Sequence, residues 1–325
     1  MPKAVRIHQV GGPEALVYED VELAGPGPLE ARVRHTAIGL NYIDTYHRSG
    51  LYPLAALPHG IGMEAAGVVE AIGSEVSSVK LGERVAYAAG PPGAYAEARN
   101  IAADRLVPLP EGIRDETAAA MMRKGLTVES LVERCRPVAA GETVLFHAAA
   151  GGVGLIACQW LAARGVIVIG TVGSRAKAEL ARRHGCTHTV VYTEEDFPQR
   201  VRELTGGKGV PVVFDSVGRT TFQGSLDCLS PRGMLVAFGN ASGKPEPFDM
   251  QLLAQKGSLY LTRPTLMTYT ASREDLLASA HALFERVESG AVKIEIHERW
   301  PLRDAASAHR ALEARATAGS TLLLP

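Results

Sequence analysis

The chain has 325 residues and balances 34 Lys and Arg against 35 Asp and Glu, for a formal net charge of −1. Without a basic stripe, a nucleic-acid-binding or membrane-surface protein is not expected. No apolar run approaches the length of a membrane span, and the start Met1-Pro-Lys-Ala-Val-Arg6 lacks the apolar stretch of a secretory leader, so a cytoplasmic, two-domain protein is expected.

The first third reads as β-rich. Residues 3–7, 30–37, 66–73 and 82–87 have strand character and are punctuated by Gly and Pro at short intervals, as in a small barrel or curled sheet. Residues 114–120 and 127–134 have helical spacing and would bridge to a second domain. The middle third changes to βα alternation, with strands expected at 143–147, 166–171, 189–192, 212–215, 233–238 and 258–261. Short apolar strands separated mostly by helices predict an α/β fold with a doubly wound parallel sheet. Past Pro264 the pattern gives a helix at 272–288, a strand at 292–297, a helix at 304–315 and a strand at 320–324. That tail is too small to stand alone and is expected to return to the first domain, so that 1–125 with 265–325 form one domain and 126–264 the other.

The four cysteines, Cys135, Cys158, Cys186 and Cys228, form no C-x-x-C pair. They are expected to be reduced, packed thiols and not the ligands of a zinc ribbon.

The first βα turn of the middle third reads Ala148-Ala-Ala-Gly-Gly-Val-Gly154. Glycines between an apolar strand and a helix let the backbone approach a pyrophosphate, and the helix start directs N–H groups at it. Where an NAD-selecting chain places an acid at the end of the second strand, this one has Val172-Gly-Ser-Arg-Ala-Lys177. A hydroxyl and two cations there suit a 2′-phosphate, so NADPH is the expected cofactor. Lys177 is the first candidate, with Ser174 and Tyr192 as partners. A dinucleotide across the carboxyl ends of the strands would also meet Gly152, Val153, Gly173, Ser216, Val217, Phe238, Gly239, Asn240 and Arg263. For Arg263 the rival reading is an interdomain salt bridge.

Six further segments carry a resemblance. They are Asn41-Tyr-Ile-Asp-Thr-Tyr46 with Arg48-Ser-Gly-Leu-Tyr52, Gly125-Leu-Thr127, His147 to Gly154, Asp215-Ser-Val-Gly218, Phe238-Gly-Asn240, and Lys256-Gly-Ser-Leu-Tyr-Leu-Thr-Arg-Pro264. On these, the chain resembles quinone oxidoreductases of the zeta-crystallin type, within the medium-chain dehydrogenase/reductase superfamily. The resemblance implies a GroES-like barrel domain, a Rossmann domain, NADPH and a homodimer, in which the edge strand at 258–261 would pair across a two-fold axis.

Zinc-dependent members of that superfamily hold a metal through a cysteine and a Gly-His-Glu segment; here Asn41 and Gly62-Met63-Glu64 stand in those places. Asn and Met are poor zinc ligands, and His47 and His59 fit no ligand spacing, so no metal is expected. A metal-free site suits an acceptor that takes a hydride or electron easily, such as a quinone or conjugated carbonyl, bound in the cleft between domains. The resemblance makes Asn41, Tyr46 and Tyr52 the catalytic candidates: Asn41 as a donor to the ribose or the substrate oxygen, Tyr46 reaching phosphate, Tyr52 lining the pocket. It also makes Arg315 a second phosphate contact and Thr127 a cofactor contact. Asp44 reads as a helix-start residue before a proton relay. Val128-Glu-Ser130 stands where relatives carry an aromatic, leaving Ser130 as a cofactor contact.

The reading is a zinc-independent NADPH:quinone oxidoreductase. The alternatives are an NADPH-dependent alkenal or enone double-bond reductase, which needs a proton donor, and a non-catalytic NADPH-binding structural or RNA-binding protein.

Overall fold

The computed structural model describes residues 1–325, which divide into two compact units: Met1–Leu126 with Thr270–Glu288 and Ile294–Pro325, and Thr127–Tyr269 with Ser289–Lys293. Residues 265–269 fall in the second unit.

The first unit is built on a curled sheet. Its long central strand, Glu30–Leu40, pairs antiparallel with Glu64–Ile72, Ala98–Ala102 and the C-terminal strand Ser320–Leu324. The sheet continues through Arg84–Tyr87 to Val107–Pro108 on one side and through Ile296–Pro301 on the other. A three-stranded sheet of Lys3–Ile7, Leu16–Asp20 and His59–Gly60 accompanies it. Alternating residues point inward: Ala31 and Val33 from the central strand join Ile7, Val69, Val85, Leu302 and Leu323 in one core.

The second unit is a six-stranded, all-parallel sheet in which the strands, numbered along the chain, lie in the order 3-2-1-4-5-6. Thr143–Phe146 and Val210–Asp215 are central, and Val144, Leu145, Phe146, Val212, Val213 and Phe214 are all fully buried. Strands covered on both faces require continuous apolar runs, which is why these segments do not alternate. The order reverses between Thr143–Phe146 and Val210–Asp215, the place at which such sheets open a ligand crevice.

Four expectations are corrected. The two helices at 114–120 and 127–134 are one run, Asp115–Glu129 followed by a π-helical turn, Ser130–Cys135. Gly125 and the charges beside it mask the apolar stripe, yet a Cβ at Gly125 would lie 2.4 Å from Leu283, so the helix carries glycine for close packing. The strand at 292–297 begins later, at Ile296–Pro301, because the backbone of Lys293 is held by the Gln159 side chain at 2.8 and 3.0 Å. The helix at 304–315 ends at Glu313, and Arg315 is left-handed at φ 56. The last strand of the parallel sheet is Tyr260–Thr262; Ser258, at φ 58, precedes it.

Candidate active site

In the second unit, the turn after Thr143–Phe146 feeds the helix Gly152–Ala163, whose N-cap Gly151 supplies no capping side chain. Its first-turn N–H groups therefore suit an anion, and the expected contacts Gly152 and Val153 sit at that helix start. Ala148 is left-handed at φ 54, and a Cβ at Gly154 would lie 2.3 Å from the Ala148 carbonyl oxygen. The third glycine of the turn is thus required by the close approach of helix and turn backbone.

At the end of the neighbouring strand Ile167–Val172, Ser174 caps the helix Arg175–Arg183, its Oγ accepting the Lys177 backbone N–H at 3.3 Å. The Ser174 hydroxyl hydrogen remains a donor. Lys177 is half-buried in the first helical turn. Tyr192 closes the corner: a Cβ at Gly173 would lie 2.7 Å from its hydroxyl, so glycine makes room for the ring. The two expected cations differ in surroundings. Arg175 is exposed and ion-paired with Glu194 at 3.0 Å, so an acid does reach this corner, but it is matched by Arg175.

Past the fourth strand, Asp215 organises the next turn. Its Oδ1 accepts the N–H groups of Val217 at 2.7 Å and Gly218 at 3.1 Å, and its Oδ2 accepts the hydroxyls of Thr221 at 2.7 Å and Ser225 at 2.8 Å. His147 bridges Ser225 at 3.0 Å and Thr171 at 2.8 Å, and burial lowers its pKa. This buried chain fixes Ser216 and Val217 at the strand end. Arg263 donates to the carbonyls of Ala237 at 2.8 Å and Gly239 at 2.9 Å, and its Nη2 reaches the Asn240 amide oxygen at 3.0 Å. It therefore ties the Phe238–Gly239–Asn240 turn. Thr127 is half-buried; Ser130, at the start of the π-helical turn, is buried and accepts from Arg134 at 3.4 Å.

The first unit carries a buried polar network. Asn41 starts the helix Tyr42–Arg48 and forms a capping box with Asp44, whose Oδ2 accepts the Asn41 backbone N–H at 2.8 Å. The Asn41 amide nitrogen donates to Glu64 Oε2 at 2.7 Å and the Gly39 carbonyl at 3.3 Å. Both its donors are thus engaged inside the unit, and the expected donation to ribose or substrate would have to displace one of them. Glu64 is fully buried and also accepts the Arg123 backbone N–H at 2.6 Å and the Lys124 ammonium at 3.3 Å. Asp44 Oδ2 further accepts the Tyr95 hydroxyl at 3.0 Å, which meets His309 at 3.0 Å; His309 in turn meets Arg48 at 2.9 Å. Tyr46 and Tyr52 form an edge-on pair with ring centroids 5.1 Å apart, flanked by Tyr42 and His47. Tyr46 is thus packed in an aromatic cluster. Arg315 lies exposed in the same unit, beyond the helix Ala305–Glu313.

Sequence reading missed Arg123, Lys124, Tyr95 and His309, and gave Glu64 no role beyond its place beside Met63. Lys124 carried a signal: it is a charge in a helix whose neighbours Ala118 to Met122, Leu126 and Val128 are all buried. Tyr95 and His309 join the network only through tertiary contact.

Burial raises the Asp44 pKa from its ordinary value to about 7, opposed by hydrogen bonds from Asn41 and Tyr95 and by the Arg123 charge, and reinforced by Glu64. The unfolded chain ionises Asp44 near pH 4, whereas the folded protein keeps the proton up to about pH 7. Its contribution to stability is therefore full below pH 4 and is lost as pH rises through 7. Asp44→Asn, which mimics the protonated form, is expected to be about 1–3 kcal/mol more stable relative to wild type at pH 8 than at pH 5. Urea unfolding of both proteins at the two pH values measures this; an unchanged gap contradicts it.

No group of three or more His, Cys, Asp or Glu side chains is arranged to hold a metal ion. All four cysteines are free thiols, and no helix is long and apolar enough to cross a membrane.

Residues 152–280 match the family described as zinc-binding dehydrogenase, and residues 27–111 match the alcohol dehydrogenase GroES-like domain. A quinone oxidoreductase of Pseudomonas aeruginosa is 56% identical over 325 residues, covering 100% of both chains. A 2-haloacrylate reductase of a Burkholderia species is 44% identical over 331 residues, covering 100% of this chain and 99% of the relative. The crystal structure of Escherichia coli quinone oxidoreductase complexed with NADPH superposes with a TM-score of 0.98 at 49% identity, covering 99% of this chain and 100% of that one.

Proposed function

Because the chain belongs to the quinone oxidoreductases of the medium-chain dehydrogenase/reductase superfamily, we propose that it is an NADPH-dependent oxidoreductase that reduces quinones without a metal. The observation that carries the cofactor is the corner formed by Gly173, Ser174, Lys177 and Tyr192. It offers a cation, a hydroxyl donor and a glycine cradle, and the Glu194 carboxylate that reaches it is paired with Arg175. The residues fit the group: the start of Gly152–Ala163 receives the pyrophosphate, Lys177 and Ser174 the 2′-phosphate, and the turns fixed by Asp215 and Arg263 the rest of the dinucleotide. When bound, NADPH supplies the hydride.

Zinc independence is supported by Asn41 and Met63 at the superfamily's ligand positions and by the binding of Glu64 to three nitrogen donors of the protein in place of a metal ion. The second reading, reduction of an activated double bond, is favoured by the similarity to a 2-haloacrylate reductase. NADPH oxidation against a panel of simple quinones, enones and haloacrylates tests both. Quinones are expected to turn over fastest; turnover of the activated alkenes alone favours the second reading, and none at all moves weight to a non-catalytic binding protein.

The homodimer belongs to the same proposal. Tyr260–Thr262 is the outer strand of the parallel sheet, with Tyr260 58% and Leu261 36% exposed. An apolar edge strand invites pairing with a second copy. Leu261→Pro, which breaks the regular edge strand, is expected to yield monomer by light scattering; an unchanged dimer contradicts this interface.

A further inference from the structure

We infer that Lys124 is a catalytic residue, whose ammonium, held by Glu64, binds the oxygen of the reducible carbonyl or quinone and stabilises the charge that develops there. This rests on the reductase reading and names the group that does the work a metal would otherwise do.

Three observations converge. First, Lys124 is 6% exposed and Glu64 is fully buried. Such a pair is a poor stabilising device, because desolvation of both ions offsets much of their attraction. Second, Glu64 does not depend on Lys124. Its carboxylate already accepts two shorter bonds, from Asn41 at 2.7 Å and the Arg123 N–H at 2.6 Å, and the Lys124 contact at 3.3 Å is the longest. An ammonium has three N–H donors, and Glu64 takes one. Third, the helix Tyr42–Arg48, joined to Glu64 through Asn41, leaves two buried polar atoms without a protein partner, Asp44 Oδ1 and His47 Nδ1. Native interiors rarely do so except where a site has a use for them. Asp44 is joined to Asn41, the residue bound to Glu64, and His47 packs against the Tyr46–Tyr52 pair. Burial, with the Arg123 and His59 charges, lowers the His47 pKa to about 4, so this imidazole is neutral, and the neighbouring Tyr46 and Tyr52 rings suit a flat ring.

The chemistry balances without proton loss from lysine. Hydride transfer breaks a C–H bond of the reduced nicotinamide with its electron pair and forms a new bond to hydrogen on the acceptor. The nicotinamide is oxidised, and the acceptor carries one negative charge on oxygen. Lys124 hydrogen-bonds that oxyanion, and one proton from solvent completes the quinol. Because the interaction strengthens as charge develops, it acts on kcat more than on KM.

The test compares wild type with Lys124→Met, Lys124→Arg and the double variant Glu64→Gln/Lys124→Met, which leaves no unpaired buried charge. Lys124→Met and the double variant are expected to lose about 10²–10³-fold in kcat with NADPH affinity unchanged, and Lys124→Arg to recover part of it. The loss is expected to grow along a series of quinones of falling electron affinity, since the less reactive acceptors depend most on charge stabilisation. A packing defect would slow every acceptor equally. Independently of turnover, 4-nitrophenol added to wild type should ionise below its free pKa, seen as phenolate absorbance, and should not do so in either Met variant. Equal ionisation in wild type and Lys124→Met, or a uniform loss across the quinone series, overturns the assignment. If wild type reduces no quinone, the reductase reading fails, whereas the nitrophenol titration still decides on Lys124.

Discussion

Glu64→Ala is expected to lower the unfolding free energy by about 3–5 kcal/mol, the usual cost of breaking one half of a buried ion pair. The carboxylate is fully buried and accepts from Asn41, the Arg123 backbone and Lys124. Removing it strands three donors and leaves the Lys124 charge uncompensated. The gap cannot refill, because the neighbouring Gly39 backbone lies close against the Ala119 carbonyl as well as Glu64; a Cβ at Gly39 would be 2.1 Å from the Ala119 oxygen. Glu64→Gln keeps an acceptor for two of the three donors and is expected to cost less than half as much. Urea unfolding of the three proteins measures the series; a Glu64→Ala loss under about 1 kcal/mol, within reach of an exposed pair, contradicts the burial argument.

Lys177→Ala is expected to raise the Kd for NADPH about 10–100-fold and to leave that for NADH nearly unchanged. A charge-assisted hydrogen bond to phosphate contributes about 1.5–3 kcal/mol, and each 1.4 kcal/mol is tenfold in affinity. Arg175→Ala serves as the comparison. Its guanidinium is 84% exposed and already paired with Glu194, so it is expected to shift NADPH binding by less than fivefold. Fluorescence titration of both dinucleotides checks this, and a rise in salt should weaken the wild-type preference for NADPH. Equal losses for NADPH and NADH in Lys177→Ala would place the lysine elsewhere than at the 2′-phosphate.

The parallel sheet was legible because its strands are continuous apolar runs and its first turn carries glycines whose positions the backbone contacts demand, as at Gly154. The cofactor corner was legible from the residues after Val172, although the pairing of Arg175 with Glu194 was not, since the two meet only when adjacent strands align. Strand and helix ends slipped wherever a side chain from elsewhere took over the backbone, as Gln159 does at Lys293. The polar network was the least legible part. Asn41 and Asp44 are local and announce a helix start, but Glu64, Tyr95, Lys124 and His309 come from four other segments. No periodicity links them; only the oddity of a lysine inside an apolar helix pointed that way.

On the proposed mechanism the reduction runs on NADPH and protein side chains with no resident metal. This is tested most directly by measuring quinone-dependent NADPH oxidation before and after exhaustive chelation, alongside the metal content of the same sample. An unchanged rate is expected, with far less than one zinc per chain. A rate that falls with chelation and returns on adding zinc would contradict it.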